Sequence, residues 1–451
     1  MMQEACQRSR TVRSRPHEAG RSWIIRHVNV LYLHQHFATR EGAGGTRSYE
    51  FARYLLKQGH QVTMVTAHRQ AGGIENLRHQ QIDGIDVISL GGFYSNHLTP
   101  RQRIREFLRF MWRCSRLRDV PAQPDVVIAT STPLTIGIPG RILSRRYRVP
   151  FVFEVRDLWP QAPIEMGALS NPVAKWIARR LERWLYKVAD HIIPLSPGME
   201  QGVLEAGGNP AKVTTIPNAS DVDLFSPAHR NRSLLEPFGV ADQFVAVHGG
   251  SMGAANGLEY LVLAAEELAR REIDDIHIMI CGYGGTRERL EQMCSERGLV
   301  NVTFTGSIPR KELGPIVSSV DVAITSFKNL PVLATNSPNK LFDGLAAGIP
   351  NIVNSAGWTK DLVEQADAGC YVDVTEPAQL ADALIRYRDD EALRARQGAH
   401  ARTLAETTFA RELLAARFCG VLESAAGITG GPDPADAAAP AAEQQSEAVR
   451  A

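Results

Sequence analysis

The chain has 451 residues, 44% apolar and 22% charged, with a net charge of +1. That length exceeds one ordinary core and suits two domains, and the balance is that of a globular protein, not a disordered or fibrous one. No uninterrupted apolar run of about 18 residues occurs, so a membrane-spanning helix is not expected; six scattered cysteines without zinc-type spacing read as reduced thiols of a cytosolic protein.

The charge is uneven. Residues 1–218 carry +13 and residues 219–451 carry −12, which points to two lobes with different partners. Residues 1–26 are Arg-rich and lack an apolar h-region. They are expected to be a disordered extension, or a start assigned too early, and not a secretory signal.

VNVLYLHQ (28–35) predicts a first strand, REGAGGTRS a glycine loop, YEFARYLLKQG a helix ending at Gly59, and HQVTMVT the next strand. Strand, glycine loop, helix, strand is the opening of a doubly wound parallel sheet. DVVIAT (125–130), PFVFEV (150–155) and HIIPLS (191–196) continue it as short, β-branched strands buried on both faces. A polar, irregular stretch between about 218 and 240 marks a boundary. The pattern then restarts with FVAVHGG (244–250), the helix GLEYLVLAAEELARR, and strands IHIMICG, NVTFTG, VDVAITS and IPNIVN. The expected architecture is α/β, with lobes at 27–225 and 226–426, the last helix returning to the first lobe. Residues 427–451, rich in Ala, Pro and Gly, read as a disordered tail.

Two helices of the first lobe are basic and amphipathic. RQRIREFLRFMWRCSRLR (101–118) carries seven arginines, with Ile104, Phe107, Leu108 and Met111 on one face and Phe110 and Trp112 widening the arc. This one is read as a membrane or partner surface. VAKWIARRLERWLYKVAD (173–190) places Val173, Trp176, Ile177, Leu181, Trp184, Leu185 and Val188 together. It is read as an ordinary sheet-covering helix with that face inward.

The segment SPNKLFDGLAAGIP (337–350) carries the strongest chemical signal. Ser337 can cap a short helix, Pro338 suits its first turn, Gly348 can end it and Pro350 prevents its return. It lies beyond the carboxyl end of VDVAITS, where ligands of open α/β sheets bind. Its free N–H groups favour an anion. Lys340 in the first turn opposes the helix dipole and makes sense beside a phosphate. Asp343, one turn on, can accept from a ribose diol. On spacing alone, an exposed Lys–Asp pair at i,i+3 weighs as much.

SPNKLFDGLAAGIPNIVNSAGW is similar to the nucleotide-sugar signature of retaining glycosyltransferases of family 4. GHQVTMVT, IPNASDVDLF, CGYGGTRERLE and VTFTGSIPRKEL resemble landmarks of that family in the same order, over roughly 28–425. FEVRDLWP (153–160), SPNK and GGTRSYEFA resemble a bacterial subgroup that builds surface polysaccharides, acetamido-sugar transferases among them. The resemblance implies two Rossmann-like lobes facing each other across a cleft, the GT-B fold. It places Asp343 at the second acid of the family's Glu-x7-Glu donor pair, and Thr335, which is not acidic, at the first. Ser337 and Asn339 can serve the sugar or diphosphate instead. The family's Arg and Lys after the first strand of the second lobe are absent from GGSMGAANGLE (249–259). Lys340 is then the leading diphosphate cation, and Ser251, Gly253 and Asn256 offer only dipoles or close backbone.

Gly44 and Gly45 resemble the family's glycine loop, which lets backbone approach the diphosphate or the reacting carbon, or merely makes a tight turn. Arg47 either assists the phosphate or is exposed. Glu154, Arg156 and Asp157 end strand PFVFEV, where charges are costly unless paired; they line the acceptor cleft or form an Arg–Asp bridge, and many relatives have His-Asp where Arg156-Asp157 stands. Gly282 and Gly284 make a strand-to-helix turn beside the nucleotide, and Ile308 is placed near the base. The expected catalytic set is Lys340, Arg156 and Asp157. Asp221 and Asp223 fall in the linker, so no metal and no bound cofactor are expected. The implied activity is transfer, with retention, from a nucleotide-diphosphate sugar to a lipid-linked or saccharide acceptor in bacterial polysaccharide (O-antigen, capsule or exopolysaccharide) synthesis. The protein is expected to be cytoplasmic and peripheral at the inner face of the plasma membrane, with no nucleic-acid partner. A nucleotide-sugar epimerase of the same fold and a catalytically silent nucleotide-sugar-binding subunit are the alternatives.

Overall fold

The computed structural model describes residues 27–42, 45–67, 77–91 and 100–428. Gly44, the extension 1–26 and the tail from 429 onward lie outside the described residues.

Strands β1 (Asn29–Leu33), β2 (Gln61–Ala67), β3 (Leu77–Ile82), β4 (Ile85–Leu90), β5 (Val126–Thr130), β6 (Phe151–Val155) and β7 (His191–Pro194) form one sheet. Its order is β3-β4-β2-β1-β5-β6-β7, parallel except for the edge strand β3. Strands β8 (Phe244–Gly249), β9 (Ile276–Cys281), β10 (Val302–Gly306), β11 (Val322–Thr325), β12 (Asn351–Val353) and β13 (Gly369–Tyr371) form a second, fully parallel sheet. Its order is β10-β9-β8-β11-β12-β13. The first lobe carries helices α1 (Arg47–Lys57), α2 (Pro100–Ser115), α3 (Gly137–Tyr147), α4 (Gln161–Glu165), α5 (Pro172–Val188) and α6 (Pro197–Glu205). The second carries α7 (Glu259–Arg270), α8 (Arg287–Glu296), α9 (Arg310–Ser319), α10 (Asn339–Ala346), α11 (Trp358–Gln365), α12 (Pro377–Asp389) and α13 (Glu391–Thr407). The final helix, α14 (Arg411–Ala425), packs on α1 of the first lobe: Phe418 lies 5.0 Å from Phe51 and 6.0 Å from Tyr32 between ring centroids.

Strand alternation sorts the cores. On β1, Val30 and Tyr32 join the cluster that holds α1 and α14, while Leu31 and Leu33 join the cluster under α2, α3 and α5. The first of these clusters runs on through Ile216, Phe225 and Phe409 into α9, α10 and α13, so one apolar core spans both lobes. In each sheet the winding reverses beside the first strand of the lobe, at β1/β5 and at β8/β11. Crevices open at the carboxyl ends there, and the two crevices face each other.

The structure corrects several expectations. The hairpin β3–β4 and the short strand β13 are additions to the expected strands. On α2 the buried face is Glu106, Phe110 and Cys114, whereas Ile104, Leu108 and Trp112 are exposed. On α5 the inward reading fails: only Leu185 and Tyr186 are buried, and Val173, Trp176, Ile177 and Trp184 face solvent, Trp176 at 64%. Periodicity identifies an apolar face but not the direction in which it points. The five described cysteines, Cys114, Cys281, Cys294, Cys370 and Cys419, are all unpaired. Among the described residues no helix is long and apolar enough to cross a membrane.

Candidate active site

A cavity of about 560 Å³ lies between the lobes. Its second-lobe wall is laced from the loops after three parallel strands. Gly250 N–H donates to Cys281 O (2.8 Å), Met252 N–H to Tyr283 O (3.0 Å) and Gly282 N–H to Gly306 O (2.8 Å). This lacing demands glycine at 282, where φ is +151° and a Cβ would stand 1.8 Å from the Gly250 carbonyl oxygen. Gly282 and Ile308 both line the cavity. Gly253 does not; it precedes a short 3-10 turn, Ala254–Asn256, in the loop that carries Ser251 and Asn256.

α10 meets the cavity with its amino end. Gly348, at φ +67°, ends the segment. Ser337, however, does not cap it. The residue before the helix is Pro338, and the Ser337 hydroxyl accepts instead from the Asn218 N–H (3.1 Å) while its carbonyl accepts from Asn218 Nδ2 (2.6 Å). Ser337 thereby ties the interlobe segment to the helix entrance, and it still lines the cavity, as does Asn339. Lys340 donates to Asn256 Oδ1 at 2.6 Å and sits 4.8 Å from the Phe327 ring centroid. Burial lowers its ammonium to about 7. His248, fully buried beneath it, is held neutral by burial and then by the Lys340 charge. The loop expected to offer only dipoles thus supplies the lysine's partner.

Asp343 is buried and makes a two-pronged ion pair with Arg310, at 2.6 and 3.1 Å. Burial raises its carboxyl above the usual range against the opposing Arg310. The exposed Lys–Asp pair is therefore not formed; both side chains line one cavity with separate partners. Arg310 is a site residue that the sequence reading does not single out, although it opens α9 just after a strand end, the same cue that marks Lys340.

Thr335 does not reach the cavity. It ends a 3-10 turn, Pro331–Thr335, that bonds its hydroxyl to Val332 O at 2.7 Å. Its carbonyl accepts from Ser196 Oγ of the first lobe, and its side chain packs against Gly198.

On the first-lobe side, Gly45, Arg156 and Asp157 line the cavity. A Cβ on Gly45 would lie 2.9 Å from Asn339 Nδ2 and 3.5 Å from Arg156 Nη2, so this glycine permits the close approach of the lobes. Arg156 and Asp157 form no bridge: Asp157 accepts from Thr132 Oγ1 at 2.6 Å, and burial raises its carboxyl despite that bond and Arg156. Glu154 and Arg47 are absent from the wall. They form a buried ion pair at 2.8 Å, with Glu154 also accepting from Thr130 (2.5 Å) and Tyr32 (3.3 Å). Burial alone would raise the Glu154 carboxyl, but Arg47, Arg156 and the Thr130 hydroxyl outweigh it and hold it low. Arg47 further donates to the carbonyls of Ile216 and Pro217, fastening the interlobe segment. A charge buried this deeply needs full pairing, which leaves neither residue free for an acceptor.

Two facing α/β lobes with a polar, cation-bearing cavity at their switch points define a class. Residues 42–219 match the sequence model of the glycosyl transferase 4-like domain, and residues 236–404 that of glycosyl transferases group 1. Together the two matches account for most of the chain, which belongs to the two-lobed (GT-B) glycosyltransferases.

More particularly, it is 24% identical over 401 residues to the putative colanic acid biosynthesis glycosyl transferase WcaI of Escherichia coli, covering 83% of this chain and 94% of that one. It is 24% identical over 289 residues to the alpha-D-kanosaminyltransferase of Streptomyces kanamyceticus, covering 62% and 72%. In fold it is similar to Anabaena HepE in complex with UDP and glucose, with a TM-score of 0.65 at 18% identity over 88% of this chain and 100% of that one. WaaG, a glycosyltransferase involved in lipopolysaccharide biosynthesis, gives 0.63 at 15% identity over 89% and 100%.

Proposed function

We propose that this glycosyltransferase takes its sugar from a nucleotide diphosphate and places it, with retention, on a lipid-linked or saccharide acceptor in bacterial surface-polysaccharide synthesis. The observation that carries the reading is Lys340 beside the open amino end of α10, with Asp343 one turn on, all in one cavity. The diphosphate docks on the first N–H groups of α10 and on Lys340, and Asp343 accepts from the ribose. As the bond from the sugar's anomeric carbon to phosphate breaks, negative charge grows on the diphosphate; Lys340 and, from the opposite lobe, Arg156 stabilise it. The acceptor oxygen bonds to the same carbon from the same face, and its proton passes to the departing phosphate oxygen. Asp157 orients the acceptor hydroxyl. With these cations at hand, the reaction is read as needing no metal or cofactor. That HepE was solved with UDP and glucose, and that relatives are named for colanic acid and lipopolysaccharide synthesis, supports the reading.

The exposed apolar residues of α2 and α5, set among Arg105, Arg109, Arg116, Arg179, Arg180 and Arg183, favour peripheral contact with an anionic bilayer on the cytoplasmic side. A thermal-stabilisation screen of nucleotide sugars, followed by mass spectrometry of lipid-linked products, tests the activity. Stabilisation by a sugar nucleotide and a glycosylated lipid product are expected; no stabilisation by any nucleotide sugar would sink the reading.

A further inference from the structure

We infer that His34 is a positioning residue that fixes the Arg156 guanidinium at the seam between the lobes. The inference rests on the function proposed for the cavity, and nothing in the family matches assigns His34 a part. His34 follows β1 directly, its backbone N–H bonded to Val65 O at 2.9 Å. Its ring is buried, with Nε2 3.1 Å from Arg156 Nη1 and Nδ1 2.7 Å from Ser48 Oγ. An arginine can only donate, so Nε2 accepts and carries no proton. The ring proton then sits on Nδ1 and is donated to Ser48, a fully buried hydroxyl in the first turn of α1. Arg156 and Ser48 together favour one neutral tautomer of the ring.

Arg156 needs such a hold. It forms no ion pair with any described acid: Asp157 turns to Thr132 and Glu154 to Arg47. Its other nitrogen, Nη2, reaches the point where Gly45 of the first lobe and Asn339 of the second come together. A neutral acceptor behind the guanidinium orients it without cancelling its charge, as a carboxylate would. The charge acts through space on Glu154 and Asp157, but no described carboxylate bonds the guanidinium, so its cavity-facing donors are left for a ligand, and the matching chemistry is a phosphate oxyanion.

The test is a double-mutant cycle with Arg156→Gln, His34→Phe and the pair, titrated calorimetrically with the nucleoside diphosphate that gives the largest thermal shift. His34→Phe is expected to weaken binding about tenfold, the scale of one charge-assisted hydrogen bond. The pair should lose no more than Arg156→Gln alone, and His34→Gln, which restores an acceptor, should recover most of the loss. Losses that multiply, or an unchanged affinity in His34→Phe beside a weakened Arg156→Gln, would overturn the inference. Should His34→Phe not fold, Ser48→Ala, which unlatches the ring but leaves it in place, takes its position in the cycle. Nitrogen-15 spectra of the ligand-free protein give an independent readout. The Nδ1–H tautomer of His34, released by Arg156→Met, is expected, and an Nε2–H tautomer refutes the arrangement. If Arg156→Gln binds as well as the parent, the function proposed for the cavity is what fails, and the tautomer alone decides the role of His34.

Discussion

Burial brings the Lys340 ammonium down to about 7, so its charge responds to pH across the neutral range. An arriving diphosphate favours the charged form and raises that value again. Binding therefore takes up a proton above pH 7, and affinity should fall as pH rises from there; Lys340→Arg, which cannot lose its charge, should flatten the profile in calorimetry. Lys340→Ala should slow turnover about 100-fold and weaken nucleoside binding less, as expected of a group that meets developing charge. Equal turnover would remove it from the leaving-group role. For Asp343, the parent should prefer a ribonucleotide over its 2′-deoxy analogue by about tenfold, and Asp343→Asn should erase that preference. A preference that survives the substitution assigns the ribose elsewhere. Both residues are legible in the sequence because a cation at a helix start and an acid one turn on violate what a packing helix needs. Their partners are not: Asn256 is 84 residues from Lys340, and Arg310 is 33 from Asp343.

At the scale of elements, the loop after β9 shows what glycine does here. Gly282→Ala meets backbone, not a side chain that can yield, and should cost about 2–4 kcal/mol in chemical denaturation; a neutral effect would mean that the loop lacing is dispensable. The same scale holds the largest departure from the sequence expectation. The apolar stripe of α5, expected to face inward, points outward, with Arg180 5.8 Å from the Trp176 ring. Together with Trp112 and the Arg116 that covers it at 3.9 Å, it makes a basic, aromatic-studded face on one side of the first lobe. Trp176→Ser with Ile177→Ser should abolish flotation with anionic vesicles and leave nucleotide binding intact. Retained flotation assigns the face to another partner.

Across the whole molecule, the lobes are held by unequal ties. Lys311 and Glu41 bridge the cleft at 3.0 Å but are both exposed, so Lys311→Ala should change stability by less than about 0.5 kcal/mol. Arg47 pairs with Glu154 inside the first lobe and fastens the interlobe segment at Ile216 and Pro217, so Arg47→Met, which leaves Glu154 buried without its cation, should cost about 3–5 kcal/mol. Beside the packing of α14 on α1, His60 just beyond α1 forms a hydrogen-bonded trio with Cys419 and Glu423 of α14. Val28 N–H donates to His60 Nδ1 at 3.1 Å, so the ring proton sits on Nε2, facing Glu423 at 3.2 Å and Cys419 at 3.3 Å. That proton occupies the position a metal would need. The sequence by itself determined the alternation of strands and helices, the two-sheet plan and the helix that opens on the cavity, because periodicity, glycine and proline act over a few neighbouring residues. Only the tertiary structure decided that Thr335 turns away, that Arg47 and Glu154 bury each other, and that α5 faces out, because burial and pairing depend on what distant segments bring to each side chain.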